Sequence, residues 1–394
     1  MSGSAAETHA YPRIDCVDRR GSMPPDRRRV SAMFTAADDD GRCRVCLAGI
    51  WPGITGADFA SVVPLDRPRF AYAAAFDAAT FRVVEGAGGP RRSGGALRAA
   101  ARLLRAQVGA DVVVTHVTSH LMLAVLVRRL RPALRIVTIQ YETPPQRPFP
   151  ASLLGWIKRA LYRRVDRVLC LTPGLAEHFA QAYGLRAEQL AWLPFGVDTE
   201  FFRPADGADA GDYVLVPGNH RRDEAAVMDA ARSSAGPRIV RVTNAPWVRE
   251  TYRRALGGDA PLAAGLTLER SVSAARLREL YQRARLVWLP LLASREPAGL
   301  TAALEAAACG RPLLVSRGPT SEALARLGIR HIQQPPGEPT HAMFARALRL
   351  TERWDPAPQR ARAVQAASVA VVSAALREQV LAAVAGAGRL APAR

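Results

Sequence analysis

The sequence predicts an α/β protein made of two doubly wound parallel sheets, one in each of two domains, facing each other across a cleft. Three observations predict it. Short apolar runs alternate with stretches of helical period along most of the chain. The alternation stops once, over residues 194–211, where proline, glycine and small polar residues cluster without a period, and then it restarts. At 394 residues the chain is also too long for a single sheet domain of ordinary size. Strand–helix alternation implies right-handed βαβ units and parallel strands, with ligands bound beyond the strands' carboxyl ends.

The elements follow in order. Residues 1–40 carry acids, an arginine patch at 27–29 and an acidic run at 38–40, with no apolar core. They read as a disordered leader and not a secretory signal, with Met23 or Met33 as alternative starts to Met1. Residues 44–50, 111–116, 134–140, 167–172 and 189–193 are apolar and rich in β-branched side chains, and are expected to be strands. Residues 95–107, 119–130, 151–164 and 173–183 repeat apolar positions at helical spacing. Beyond the break, strands are expected at 213–217, 238–243, 266–269, 286–290, 312–316 and 329–332. Helices are expected at 222–233, 245–255, 274–283, 300–309 and 341–354, followed by one long Ala/Val/Arg tract at 357–384. The implied domains are 41–200 and 201–355, with 356–394 as a helix returning to the first.

Composition narrows the function. No apolar run approaches the roughly 20 residues that span a bilayer, so the protein is expected to be cytoplasmic. Cys43 and Cys46 have a metal-like spacing, but no second ligand pair follows, and they fall in the first strand. No metal is expected. Fifty-four basic side chains against 35 acidic ones give a formal charge of +19 and call for an anionic partner. The basic residues are scattered over helices and not interleaved with aromatics, which argues against nucleic acid. Phosphorylated substrates and an anionic membrane surface remain. For the latter, Leu154, Ile157, Leu161 and Val165 recur at helical spacing beside Trp156, with Lys158, Arg159, Arg163 and Arg164 among them. Contact with the inner face of the plasma membrane would follow.

Residues 290–316 carry the chemistry: PLLASREPAGLTAALEAAACG, then RPLLVS. This is a strand, a loop, a helix and a second strand. The helix begins near Gly299, Leu300 and Thr301, and its unpaired first N–H groups and dipole suit a phosphate. Glu305, one turn in, could accept hydrogen bonds from ribose hydroxyls. Glu296, in the preceding loop, could face whatever the phosphate carries. His116 and His120 flank the end of the 111–116 strand and are candidates on the other side of the cleft.

This segment resembles the donor-site signature of glycosyltransferase family 4, whose members have the GT-B fold. LPFGVDTEFFRP at 193–204 is similar to the family's interdomain connection, VDRVLCLT at 165–172 to the strand closing its first sheet, and residues 277–290 to its L-x-x-L-Y-x-x-A helix with the strand after it. The likeness covers about residues 110–350. It implies transfer of a sugar from a nucleoside diphosphate sugar to an acceptor hydroxyl, lipid-linked or in a saccharide or small-molecule glycoside. It also implies retention of configuration, with neither metal nor cofactor. GNHRRD at 218–223 replaces the family's usual phosphate-binding pair. It makes Arg222, or its neighbour Arg221, the cation for the diphosphate. Asn219 and Val272 join the donor-binding candidates. Eight residues separate Glu296 from Glu305, where the family usually has seven. Gln140 stands where many relatives carry a histidine, an acceptor-side candidate. Two rivals remain: a GT-B sugar-nucleotide epimerase, and a non-catalytic basic scaffold that binds membrane or nucleic acid.

Overall fold

In a computed structural model the described residues are 42–48, 75–76, 80–85, 96–141, 153–205, 211–233, 236–255, 265–335 and 337–386. The expected leader, residues 1–40, lies outside them. The first sheet joins β1 (Cys43–Ala48), β2 (Phe81–Glu85), β3 (Val112–Thr115), β4 (Arg135–Gln140), β5 (Arg167–Cys170) and β6 (Leu190–Trp192) in the order β2-β1-β3-β4-β5-β6, all parallel. Every residue of β3 and β4 is buried, as expected for β-branched strands covered on both faces. One face is covered by α1 (Ala96–Gly109), α2 (Thr118–Leu130), α3 (Leu153–Tyr162) and α4 (Pro173–Tyr183), through Leu103, Leu121, Leu161 and Phe179. Helix α4 shows how locally its ends are written. Thr172 accepts from the Leu175 N–H at 3.3 Å, Pro173 opens the first turn, and Gly184 closes the helix at φ 63°.

The second sheet joins β7 (Tyr213–Pro217), β8 (Arg238–Val242), β9 (Leu266–Glu269), β10 (Leu286–Leu289), β11 (Leu313–Ser316) and β12 (Ile332–Gln334) in the order β12-β11-β10-β7-β8-β9. Its helices are α5 (Glu224–Arg232), α6 (Pro246–Ala255), α7 (Ala274–Arg283), α8 (Leu300–Ala308), α9 (Pro319–Arg326) and α10 (Thr340–Thr351). Chain direction across the sheet reverses between β7 and β10, so the loops leaving these two strands open a crevice between them. Apart from Thr301 and Glu305, the side chains of α8 are buried; it runs through the middle of this half, between the sheet and α11 (Pro356–Ala367).

The structure departs from the expectation at several places. The single C-terminal tract is two helices, α11 and α12 (Val369–Ala385). Between them Ser368 is extended, and Val197 of the interdomain connection pairs across it, donating to Ala367 O at 2.8 Å and accepting from Val369 N at 3.1 Å. Tertiary pairing there overrides helix propensity. Helix α12 crosses to the first sheet and buries Val369, Val372, Leu376 and Val380 against Val112, Val137 and Leu169. The strand expected at 329–332 begins only at Ile332, because Gly328 (φ 70°) and Ile329 close α9, Ile329 donating to Leu324 O at 2.9 Å. Strand β2 and helix α9 were not anticipated. The first is short, with a charged residue at its end, and the second opens on Gly318-Pro319, which reads as a loop.

No helix among the described residues is long and apolar enough to cross a membrane. Ile157, Leu161 and Val165 turn inward onto the first sheet's core, while Trp156 on the same helix is 69% exposed. The stripe expected to meet a bilayer is therefore occupied by the fold, for each of its helical positions whose side chain is described.

Candidate functional site

The crevice between β7 and β10 is lined by the loops that leave them. Residues 221–223 run antiparallel to 290–292: Asp223 N donates to Pro290 O at 2.8 Å, Leu292 N donates to Arg221 O at 3.0 Å, and Arg222 and Leu291 form a bridge. This pairing delays the helix expected from 222. Helix α5 starts at Glu224, with Asp223 as its cap accepting from Ala226 N at 3.0 Å.

The same pairing buries Arg222, which is 4% exposed. Its Nε donates to Pro217 O at 2.8 Å and its Nη1 to His220 O at 2.8 Å. The guanidinium then reaches the start of α8. A Cβ placed on Gly299 would lie 3.3 Å from both Nη1 and Nη2, and one on Gly218 would collide with the same group. Both glycines have positive φ, 80° and 105°, a backbone conformation in which any other residue is strained. Gly299 is the N-cap of α8 and supplies no side-chain hydrogen bond. The arrangement is a buried cation beneath an uncapped helix N-terminus, with Leu300 buried and Thr301 exposed. Burial, and then the charge of Arg241, lower the Arg222 pKa to about 10.

Around this centre the other candidates already have partners. Glu296 Oε2 accepts from His220 Nε2 at 3.0 Å and from Arg221 Nε at 3.1 Å, and these hydrogen bonds hold its carboxyl below the usual range. Arg221 is held at φ 57°, a strained conformation for arginine. Glu296 thus clasps the two loops together. Asn219 Oδ1 accepts from Thr243 Oγ1 at 3.0 Å and from Asn244 N at 2.7 Å, and Asn244 in turn accepts from Ser271 N at 2.8 Å. This chain stitches the loops after β7, β8 and β9 into one rim. Val272 packs against the core of this half. Glu305 lies one turn into α8 and accepts from the Tyr281 hydroxyl at 2.8 Å. Burial raises its carboxyl to about 7.

Across the cleft the first sheet ends its strands beside His116, Gln140 and Tyr141. His116 and Tyr141 rings lie 5.6 Å apart, and burial, then His120, lower the His116 pKa. Gln140 is buried and donates to Thr138 Oγ1 at 2.5 Å. His120, two residues into α2, is half-buried, and its main-chain oxygen accepts from Gln107 Nε2 at 3.2 Å. The two halves meet at α4: the His178 pKa is lowered by burial and then by Arg295 of the β10–α8 loop.

Sequence reasoning missed a buried group under the crevice. Arg241 on β8 is fully buried, its Nε and Nη2 donating to Glu224 at 3.1 and 2.6 Å, and the Tyr252 hydroxyl donates to the same carboxylate. The available signal was parity. In RIVRV the second arginine falls at a position the strand buries. Among the described residues no cluster of three or more potential metal ligands occurs. Cys43 and Cys46 are buried in β1, with burial the main cause that pushes their thiols up to about 12.

Residues 56–201 match the model of Glycosyltransferase Family 4. The match agrees with the family resemblance, and it lies on the half where the sequence motifs were sparser. No curated protein matches the sequence. Among solved structures, HepE of Anabaena in complex with UDP-glucose is similar at a TM-score of 0.64 and 15% identity, over 86% of this chain and 100% of that one. AviGT4, a glycosyltransferase involved in avilamycin A biosynthesis, is similar at 0.56 and 18%, over 87% and 98%. Sucrose-phosphate synthase of Thermosynechococcus elongatus is similar at 0.55 and 17%, over 88% and 98%. At these identities the likeness is one of fold, and the fold is GT-B.

Proposed function

We propose, on the premise that this is a GT-B protein related to glycosyltransferase family 4, that it transfers a sugar from a nucleoside diphosphate sugar to an acceptor hydroxyl. The observation that carries the reading is Arg222, buried at the uncapped N-terminus of α8 with its guanidinium packed close against Gly299. Charge builds on the leaving diphosphate as the glycosidic bond breaks. A fixed guanidinium and a helix dipole at that point are worth more in the transition state than in the ground state. Glu305 would take the ribose hydroxyls. Because HepE was solved with UDP-glucose, UDP-sugars are the first donors to try. In this reading the sugar keeps its configuration, the departing phosphate assisting the incoming hydroxyl so that no dedicated base is needed. The acceptor would enter beside His116, His120 and Gln140. We further propose that the acceptor is presented at an anionic membrane surface, supported by the +19 charge and by exposed apolar side chains on the first half's outer helices.

The test combines identification and kinetics. Mass spectrometry of nucleotide co-purifying with the protein should find a nucleoside diphosphate. Turnover of the UDP-sugar that it accepts should then fall at least a hundredfold in kcat for Arg222→Ala and much less for Arg221→Ala. Equal and negligible effects would move the cation elsewhere. Interconversion of the donor sugar without an acceptor would favour the epimerase.

A further inference from the structure

We propose that Arg241, oriented by Glu224 and Tyr252, is the positioning residue for Arg222, and that the buried pair of arginines holds one uncompensated positive charge for a diphosphate. The proposal rests on the donor-site reading above and names the machinery behind it.

The turn from Val216 to His220 is gripped from two sides. From below, Arg241 Nη1 donates to the carbonyls of Val216 at 3.1 Å, Gly218 at 2.6 Å and Val242 at 2.6 Å. From above, Arg222 takes the carbonyls of Pro217 and His220. Four of the turn's five carbonyls are thus consumed by two guanidiniums. The backbone is left in one conformation, which at Gly218 only glycine accepts comfortably. The reach of Arg222 toward Gly299 is set by where Pro217 and His220 hold it. Their place is in turn set by Arg241. Arg241 itself has little freedom. It is fully buried, and its remaining donors are fixed on Glu224, whose other hydrogen bond comes from Tyr252 on α6. A planar fork with five donors can serve three carbonyls and a carboxylate together; an ammonium cannot.

The charges do not balance. Arg222 and Arg241 are both buried, and Glu224 is the carboxylate they have between them, bonded to Arg241. Among the described residues Arg222 bonds to main-chain carbonyls and to no carboxylate. An unmatched buried guanidinium is costly in an empty protein and is relieved by an anion. Its tip meets the N-terminus of α8, so the relieving anion belongs there. A diphosphate fits both the charge and the place.

The experiment measures binding of UDP, uridine and inorganic pyrophosphate by calorimetry to the wild type, Arg241→Lys and Tyr252→Phe, with kcat and KM for the accepted UDP-sugar. Arg241→Lys should weaken UDP and pyrophosphate at least tenfold while uridine changes less than twofold, and should lower kcat more than it raises KM. Tyr252→Phe keeps the ring and removes only the hydroxyl that orients Glu224. It should do the same to a smaller extent, and it keeps the test alive if Arg241→Lys does not fold. Parallel losses for uridine and UDP would make the cluster a general structural support and overturn the proposal. Unchanged UDP and pyrophosphate affinity in both variants would overturn it as well. A wild type that binds neither UDP nor pyrophosphate would instead sink the donor-site reading, and this inference with it.

Discussion

Glu305 is the side chain at which packing and the proposed nucleotide binding would meet. Its folded pKa, near 7, is raised above the ordinary carboxylate value by burial, the Tyr281 hydroxyl offsetting part of the rise. A group shifted upward in this way contributes stability that is complete below about pH 4.5 and is lost as pH rises through about 7. With Glu305 as ribose acceptor, nucleotide would bind the carboxylate form, so affinity for UDP should rise several-fold between pH 6 and pH 8. Glu305→Gln should flatten that profile, and it should raise the melting temperature at pH 8 relative to the wild type. Calorimetry and thermal melts across this range decide both. A wild-type affinity independent of pH would remove the ribose role. At this scale the sequence was partly legible. Gly299 and Glu305 stand out because a helix start and its first turn are local patterns. Arg222 was legible only through the resemblance. Arg241 was not, because its partners Val216, Gly218 and Glu224 lie more than a dozen residues away and meet it only when β7 and β8 pair. The partnering of Glu296 by His220 is likewise a contact between two loops that no spacing reveals.

Among the elements, the outer helices of the first half leave several large apolar side chains exposed. Helix α2 leaves Met122, Leu126 and Leu130 exposed at 46, 51 and 85%, at a spacing that aligns them along one face. Trp156 stands out from α3, a neighbour of α2. Between residues 96 and 164 there are twelve basic side chains and two acidic ones. Apolar side chains with cations around them suit an anionic bilayer surface, each nearby cation being worth about 1 kcal/mol. The proposed membrane contact thus belongs to α2 and Trp156, and not to the inward stripe of α3. The protein should co-sediment with vesicles containing anionic lipid at low salt and much less with neutral ones. Leu126→Glu with Leu130→Glu should reduce that binding at least fivefold without changing turnover of a soluble acceptor. Absence of sedimentation even at low salt would leave a soluble acceptor as the better reading. Element boundaries were legible wherever caps are local, as at Thr172 and Gly184. They failed at Ser368, where the deciding partner, Val197, is remote in sequence.

For the molecule as a whole, the two halves are connected twice, by the strand-like passage at Val197 and by the return at Ser368, which pair with each other. Arg360 fastens the place, donating to Thr199 O at 3.1 Å, Phe202 O at 3.3 Å and Ala308 O at 3.0 Å. Ala308 is the last residue of α8, so the helix that begins at the crevice between β7 and β10 ends at the crossing. Two adjacent crossings would serve as a hinge on which the cleft closes over donor. Small-angle scattering at saturating UDP-sugar should show a smaller radius of gyration than the unliganded protein. Identical profiles would count against closure. The two-sheet plan was legible because alternation and the 194–211 break are written along the chain.

The return of α12 also orders events in time. The face of the first sheet made by Val112, Val137 and Leu169 is sealed by side chains from residues 369–380. The whole second half is translated in between. At typical elongation rates of roughly 5–20 residues per second, that face waits on the order of ten to forty seconds for its cover. A nascent first half leaving the ribosome is thus an unfinished object with an apolar side. Its folding waits for a helix made after the whole second half.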